Sequence, residues 1–207
     1  MTVKIACIGT SITKGYGLAN PATESYPAIL QTLLGSGFEV RNYGVNGAAL
    51  LKDSGFYYGN TAEFQDMSDS YADIYVIEFG ANDLLPGAID KNGERFLDSY
   101  KELISLLKQE IAVPRIFIMS LTPIKSGNRE YQLFLSQWHG RMQELIAKAA
   151  SQTGVELIDI CTPLAEALKN EPGVIPDGVH PGAEGAAIIA KAVWGAICHI
   201  GGGKDSL

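Results

Sequence analysis

Five short runs of apolar and β-branched residues recur along the chain, separated by longer and more polar segments. They occupy residues 3–8, 38–43, 73–79, 115–121 and 155–160. Runs of this length and composition, bounded by glycine and polar residues, predict β-strands. We therefore expect five strands, the first beginning close to residue 3.

Between and after the strands, apolar residues recur at helical spacing. The three clearest stripes are Phe96, Tyr100, Leu103, Ile104 and Leu107; Tyr131, Leu135, Trp138, Met142, Leu145 and Ala149; and Ile189, Val193, Ala196, Ile197 and Ile200. A further helix is predicted near residues 25–34, ended by Gly35. Strands that alternate with longer helices predict an α/β protein with a parallel, doubly wound sheet. We expect one domain over residues 1–207, with residues 201–207 as a flexible tail.

Composition and charge limit the classes of partner that the protein is expected to have. With 46% hydrophobic and 19% charged residues, the chain can bury a sizeable core. Its net charge of -7 and pI near 5.0 argue against nucleic acid or an anionic membrane as partner. No apolar run reaches the ~18 residues of a membrane span. The first strand leaves no room for a signal peptide, so we expect a cytoplasmic protein unless a signal was removed.

Cysteine and histidine spacing gives no sign of a cofactor. The three cysteines are far apart, form no CxxC pair and, being odd in number, predict no disulfide framework. The three histidines lack the local spacing of zinc ligands. We expect neither a metal nor another cofactor.

Candidate chemistry follows the strands at one edge of the predicted sheet. Ser11 lies in GTS after the first strand, Gly47 in GVNG after the second, and Asn82 in GAND after the third. Asp177 and His180 lie in DGVH, beyond a short helix that follows the fifth strand. Ligands of open α/β sheets bind at the carboxyl ends of the strands, so we expect these five residues to converge there.

These residue types suit attack on an ester carbonyl. A serine hydroxyl needs a base within hydrogen-bond reach, and His180 can act as one for Ser11. Asp177, three residues earlier, is spaced to hold the imidazole in one tautomer. The resulting oxyanion needs aimed donors, which the Ser11 N–H, a glycine N–H and the Asn82 amide would supply.

Each residue also has a structural alternative. Ser11 can be a helix N-cap, Asn82 a turn residue at a strand exit, and Gly47 a turn glycine with positive φ, which leaves Gly44 as the other glycine donor. Glu78, among the apolar residues of the third strand, is expected to be paired structurally, with a role in shaping the site as the alternative.

Four short blocks, taken in order, resemble those of the SGNH (GDSL-type) hydrolases. GTS resembles the first block, G-D-S; NYGVNG resembles the second, with Gly47 as the best fit; GAND resembles G-x-N-D; and DGVH resembles D-x-x-H. The resemblance runs from about residue 5 to residue 197. It implies a three-layer α/β/α, flavodoxin-like fold with five parallel strands in the order 2-1-3-4-5. It also implies a serine esterase with the triad Ser11, His180 and Asp177 and an oxyanion hole from Ser11, Gly47 and Asn82.

Within that family, the segments HPGAEGAAIIAKAV and IFIMSLTPI most resemble carbohydrate O-acetylesterases. We therefore expect a small-molecule or carbohydrate ester as substrate, with residues 52–71 lining its pocket. The alternatives are a broader acylesterase, thioesterase or lysophospholipase, a transacylase, and a non-catalytic carbohydrate-binding relative.

Thr10 is a departure from the family pattern, because Asp is usual at this position of the first block. We expect its side chain to turn away from the substrate and to hydrogen-bond with the loop backbone. Thr10→Asp is then expected to be tolerated.

Overall fold

The computed structural model of the protein describes residues 2–83, 89–109, 113–125 and 129–198. The expected tail at residues 201–207 lies outside these ranges. The strands and helices, in chain order, are β1 Val3–Gly9, α1 Ser11–Lys14, α2 Pro21–Glu24, α3 Tyr26–Leu34, β2 Phe38–Gly44, α4 Ala62–Ser68, β3 Ile74–Glu78, α5 Ile89–Leu107, β4 Arg115–Met119, α6 Arg129–Thr153, β5 Glu156–Ile158, α7 Cys161–Leu168 and α8 Ala183–Cys198. Within the described ranges, no helix is long and apolar enough to cross a membrane.

The five strands form one parallel sheet in the order β2-β1-β3-β4-β5, as predicted. The order changes direction at β1, which lies between β2 and β3. At the carboxyl end, Gly9 of β1 is in register with Gly44 of β2 and Glu78 of β3. The turn that follows Gly9 therefore emerges between the ends of two neighbouring strands.

Helices cover both faces of the sheet and make the predicted three layers. Ala6 and Ile8 of β1 pack on the face covered by α5 and α6, whereas Ile5 and Cys7 pack on the face covered by α3 and α8. This alternation follows from the two-residue period of a strand. Every residue of the central strand β3 is buried, which is typical of a parallel strand covered on both sides.

The strands at the β4–β5 edge are shorter than predicted. β4 ends at Met119 and β5 has three residues, although the apolar runs cover residues 115–121 and 155–160. Ser120 explains the difference, because its hydroxyl oxygen accepts hydrogen bonds from the N–H groups of Ile160 and Cys161. The side chain thus takes the place of a strand ladder and turns the chain into α7.

Two predicted helices differ little from those observed. The helix expected near residues 25–34 is α3, preceded by Ser25 and followed by Gly35 with φ of 74°. The last helix begins at Ala183, so two residues separate it from His180.

Candidate active site

Ser11 is the first residue of α1, a four-residue helix directly after β1. Thr10, not Ser11, is the N-cap, because the Thr10 hydroxyl oxygen accepts from the Ile12 N–H at 3.3 Å. The Ser11 side chain is half-buried, and its N–H is one of the donors that a helix start leaves without an intrahelical acceptor. α1 lies tightly on the end of β2, since a Cβ at Gly44 would come within 2.3 Å of the Lys14 nitrogen.

The structure brings Ser11, His180 and Asp177 together in that order. Ser11 Oγ lies 3.0 Å from His180 Nε2, across 169 residues of sequence. His180 Nδ1 lies 2.7 Å from Asp177 Oδ2. With the proton on Nδ1 donated to the carboxylate, Nε2 is free to accept the serine proton.

The loop that carries Asp177 and His180 is fixed largely by its own backbone. Asp177 Oδ1 accepts from the Val179 N–H at 2.9 Å and from the His180 N–H at 2.7 Å. Partial burial acts to raise the pKa of Asp177, but the hydrogen bonds from His180 and Val179 outweigh it and lower the pKa below its ordinary value. Asp177 is therefore a carboxylate at neutral pH.

Gly178 anchors this loop to the segment after β4. Its φ is 84°, and a Cβ would lie 2.1 Å from the Lys125 carbonyl oxygen. The Lys125 N–H also donates to the Gly178 carbonyl at 2.8 Å. Glycine is required here by both the left-handed backbone and the close approach.

Asn82 contacts the turn after β2 that contains Gly47. Gly47 has φ of 76° and is exposed in the turn after β2, whereas Gly44 is buried against α1. Asn82 Nδ2 donates to the carbonyl of Ala48, the residue after Gly47, at 3.0 Å. This bond uses one of the two amide hydrogens of Asn82 and fixes the side chain beside the turn.

Asp83 accepts hydrogen bonds from the segment just after this turn. The sequence did not indicate this contact. Asp83 Oδ1 accepts from the N–H groups of Leu50 at 2.5 Å and Leu51 at 2.7 Å. Burial raises the pKa of Asp83 to about 7, against the opposing effect of these bonds. Its position after Asn82, at the exit of a buried strand, was the available signal.

Two exposed aromatic rings flank the site. Tyr16, which is 53% exposed, has its ring centroid 4.7 Å from that of His180. Phe56, which is 49% exposed, approaches to 3.7 Å of the position that a Cβ on Gly47 would take. Tyr16 was missed from the sequence, where its only mark is its place five residues after Ser11.

Part of the 52–71 segment, which was expected to line the substrate pocket, lines a different cavity. Lys52, Tyr57 and Phe64 line a cavity of about 150 Å³ against α5. Ser11, Asp177 and His180 are not among the residues that line this cavity.

Glu78, at the end of β3, is paired as expected, but its partners belong to the turn of Ser11. Its Oε2 accepts from the Thr10 N–H at 3.0 Å, the Thr10 hydroxyl at 2.8 Å and the Thr13 hydroxyl at 3.2 Å. Thr10 thus makes the expected bond with the loop backbone and also a second one with a buried carboxylate. An Asp at position 10 would set two carboxylates against each other, so the structure argues against a tolerated Thr10→Asp.

Comparison with known proteins places the chain in a family. The model of the GDSL-like lipase/acylhydrolase family matches residues 7–188, a range that contains Ser11, Asp177 and His180. An acetylxylan esterase of Xylanibacter ruminicola is 29% identical over 210 residues, which cover 94% of this chain. The chain spans 43% of the length of that relative.

Solved structures support the fold. Est24, a carbohydrate acetylesterase from Sinorhizobium meliloti, superposes with a TM-score of 0.75 at 14% identity, covering 96% of this chain and 100% of that one. The native M. smegmatis aryl esterase gives a TM-score of 0.74 at 16% identity, covering 96% and 99%. At these identities the likeness establishes the architecture alone.

Proposed function

The chain belongs to the GDSL-like lipase/acylhydrolase family, and we propose that it is a carboxylic ester hydrolase of the SGNH type with Ser11 as its nucleophile. The observation that carries the proposal is the continuous line of contacts from Ser11 Oγ through His180 to Asp177, at 3.0 and 2.7 Å. Hydroxyl, imidazole and carboxylate joined in this order serve acyl transfer on several unrelated folds.

In this mechanism neutral His180 takes the Ser11 proton on Nε2 while Oγ attacks the ester carbonyl. Asp177 keeps the other ring nitrogen protonated and stabilises the imidazolium that forms. The imidazolium then gives its proton to the departing alcohol, which leaves an acyl group on Ser11. Water, deprotonated by His180, attacks the acyl-enzyme, releases the acid and restores the serine.

The tetrahedral intermediates need donors aimed at their oxyanion. We assign this role to the N–H groups of Ser11 and Gly47 and to the second amide hydrogen of Asn82. Two observations favour the set: Gly47 is exposed whereas Gly44 is packed, and the bond from Asn82 to Ala48 orients the amide. The three donors come from the ends of the adjacent strands β2, β1 and β3.

For the substrate we propose an O-acetylated carbohydrate. The acetylxylan esterase and the carbohydrate acetylesterase among the similar proteins support this choice. Tyr16 and Phe56 add flat, partly apolar surfaces beside His180 and Gly47, suited to the face of a sugar ring. A long acyl chain would need an apolar cavity opening from Ser11, and the cavity against α5 is not lined by Ser11.

The test is a panel of acetylated xylo-oligosaccharides and p-nitrophenyl esters of increasing acyl length, with acid release as the readout. We expect acetyl esters to be the best substrates and an organophosphonate to label Ser11 once per chain. Folded Ser11→Ala should be inactive on every ester, whereas Ser105→Ala, which changes an exposed serine of α5, should match the wild type. Activity that survives in Ser11→Ala would overturn the proposal, and a preference for long acyl chains would favour a lysophospholipase or thioesterase.

A further inference from the structure

Glu78 is a buried acidic side chain that ester hydrolysis by the triad does not use. It is 2% exposed and ends β3, in register with Gly9. Gly9 leaves room for it, because a Cβ there would lie 2.8 Å from Glu78 Oε2 and 2.3 Å from the Thr13 hydroxyl. The carboxylate therefore lies directly beneath the turn that begins α1.

A single oxygen of Glu78 collects three donors, and all three come from this turn. They are the N–H and hydroxyl of Thr10, at 3.0 and 2.8 Å, and the hydroxyl of Thr13, at 3.2 Å. Thr10 precedes Ser11 and Thr13 follows it by two residues. The carboxylate thus accepts hydrogen bonds from the chain on both sides of Ser11.

These bonds constrain the backbone that presents Ser11. With both its N–H and its hydroxyl held by one oxygen, Thr10 has little freedom in φ or χ1. The same hydroxyl accepts from the Ile12 N–H, which fixes the first turn of α1. The orientation of the intervening peptide, and with it the Ser11 N–H and Oγ, follows from these contacts.

We propose that Glu78 is a positioning residue for the hydrolase reaction: from the neighbouring strand, its carboxylate sets the turn that directs Ser11 Oγ at His180 and the Ser11 N–H at the oxyanion. This inference rests on the proposed function. Glu78 does not touch the substrate and acts through Thr10 and Thr13.

The burial of Glu78 speaks against a role in stability alone. Removing a carboxylate from water is costly, and burial raises the pKa of Glu78 to about 7 despite the bonds from Thr10 and Thr13. Among the described residues its second oxygen, Oε1, has no hydrogen-bond partner. Groups kept at such a cost beside a reactive side chain are typical of functional sites.

The first experiment compares Glu78→Gln and Glu78→Met with Glu63→Gln. Glu63 also reaches α1, through an ion pair with Lys14 at 3.4 Å on the solvent side, and is the matched control. Since misplacing a reacting group by about 1 Å can lower a rate about 100-fold, we expect Glu78→Met to lose about that much kcat on p-nitrophenyl acetate. Glu78→Gln keeps an acceptor and should lose less, KM should stay nearly constant, and phosphonate labelling of Ser11 should slow in parallel with kcat.

The second experiment transfers the carboxylate from position 78 to position 10, its hydrogen-bond partner. Thr10→Asp alone places two carboxylates in contact and should lower kcat strongly. In the double variant Thr10→Asp/Glu78→Gln, the Gln amide can donate to the new carboxylate. We expect the double variant to be at least tenfold more active than Thr10→Asp, as coupling between contacting residues requires.

Folded Glu78→Met with wild-type kcat and labelling rate would overturn the inference, and so would a loss confined to the melting temperature. If Glu78→Met does not fold, Glu78→Gln and the double variant decide. Hydrogen exchange of the Thr10 and Ile12 amides provides a readout that needs no substrate. A wild type that neither hydrolyses esters nor is labelled refutes the proposed function, whereas amide exchange that stays unchanged in the Glu78 variants refutes the role of Glu78.

Discussion

The site has two parts, the loop of Asp177 and His180 and the turn of Ser11 that bonds to Glu78. Each part contains one carboxylate, but the surroundings of the two carboxylates are opposite. Asp177 is exposed, bonds to residues two and three positions ahead of it, and has a lowered pKa. Glu78 is buried, bonds to Thr10 across 68 residues, and has a raised pKa. The loop of the proposed base, His180, is thus largely a local unit, whereas the turn of the proposed nucleophile, Ser11, takes its shape from the assembled sheet.

The difference shows how one chemical group can serve two purposes. A carboxylate near water, with N–H donors around it, stays charged and can stabilise an imidazolium. A carboxylate under a turn acts as a common acceptor for several donors, and its charge is partly suppressed by burial. The predictions below separate these two supports.

The largest effect is expected where the two parts meet. His180→Ala removes the base and should lower kcat on the order of 10⁴-fold or more, as loss of a triad member does. The double variant with Ser11→Ala should be no worse than either single one, because the two residues act as a unit. His139→Ala is the control, since His139 lies on α6 and bonds to the Thr122 carbonyl. Additive losses in steady-state kinetics would contradict the pairing.

The second largest effect on kcat is expected when the exposed carboxylate of Asp177 is removed. Asp177→Asn should lower kcat about 10³–10⁴-fold, because an amide cannot hold the imidazole in the tautomer that leaves Nε2 free. Asp159→Asn is a matched control, as Asp159 also bonds locally, to the Thr162 N–H at 3.0 Å, but holds no imidazole. If both variants have equal activity, the assigned role of Asp177 is wrong.

A smaller effect is expected from the oxyanion donor beside the turn of Gly47. Asn82→Ala should lower kcat on the order of 10²–10³-fold with little change in KM, since the donor acts on charge that appears in the transition state. Asn82→Asp should be at least as damaging, because a carboxylate repels the oxyanion. Asn170→Ala, at an exposed site after α7, should have no effect. A change in KM alone would make Asn82 a substrate-binding residue instead.

The smallest effect concerns stability and pH. Burial raises the pKa values of Glu78 and Asp83 to about 7, from ordinary values of 4.5 and 3.8. A raised pKa means that the folded protein holds its protons more tightly than the unfolded chain, so this stabilisation is complete below the ordinary pKa and is lost as pH rises to the raised one. The free energy of unfolding should therefore fall from about pH 5 to about pH 7.

Denaturant titrations at several pH values measure this slope. Glu78→Gln should flatten it, because an amide does not titrate. The lowered pKa of Asp177 acts in the opposite sense, but only at pH values near and below its ordinary pKa of 3.8. A free energy that rises over the interval would contradict the expectation.

The sequence predicted what depends on local pattern and on order along the chain. The parallel α/β architecture followed from strand runs and helical stripes, and the strand order followed from the family resemblance. Ser11, Asp177 and His180 could be singled out because Ser11 follows a strand and the other two belong to the recognisable block DGVH. The parallel sheet then gathers them, since all strands end at the same edge.

What the sequence could not give are contacts between distant residues whose identity is unremarkable. Nothing in Thr10 or Thr13 indicates a bond to Glu78, and nothing in Tyr16 indicates contact with a histidine more than 160 residues away. Such contacts depend on strand register and helix placement, which are settled by packing rather than by local propensity. The early end of β5 has the same origin, because it depends on the hydroxyl of Ser120, the residue that follows β4.

Ser11 and His180 are 169 positions apart in the sequence, so their contact forms only when most of the chain has folded. The proposed nucleophile, Ser11, is synthesised with β1, but its hydroxyl cannot reach His180 until the loop of Asp177 and His180 has docked against the sheet. During synthesis or refolding, reactivity toward an organophosphonate should therefore appear only when the fold is complete, after helix and sheet signals have largely developed. The rate at which Ser11 becomes open to covalent labelling would then report the rate of the late folding step that docks this loop.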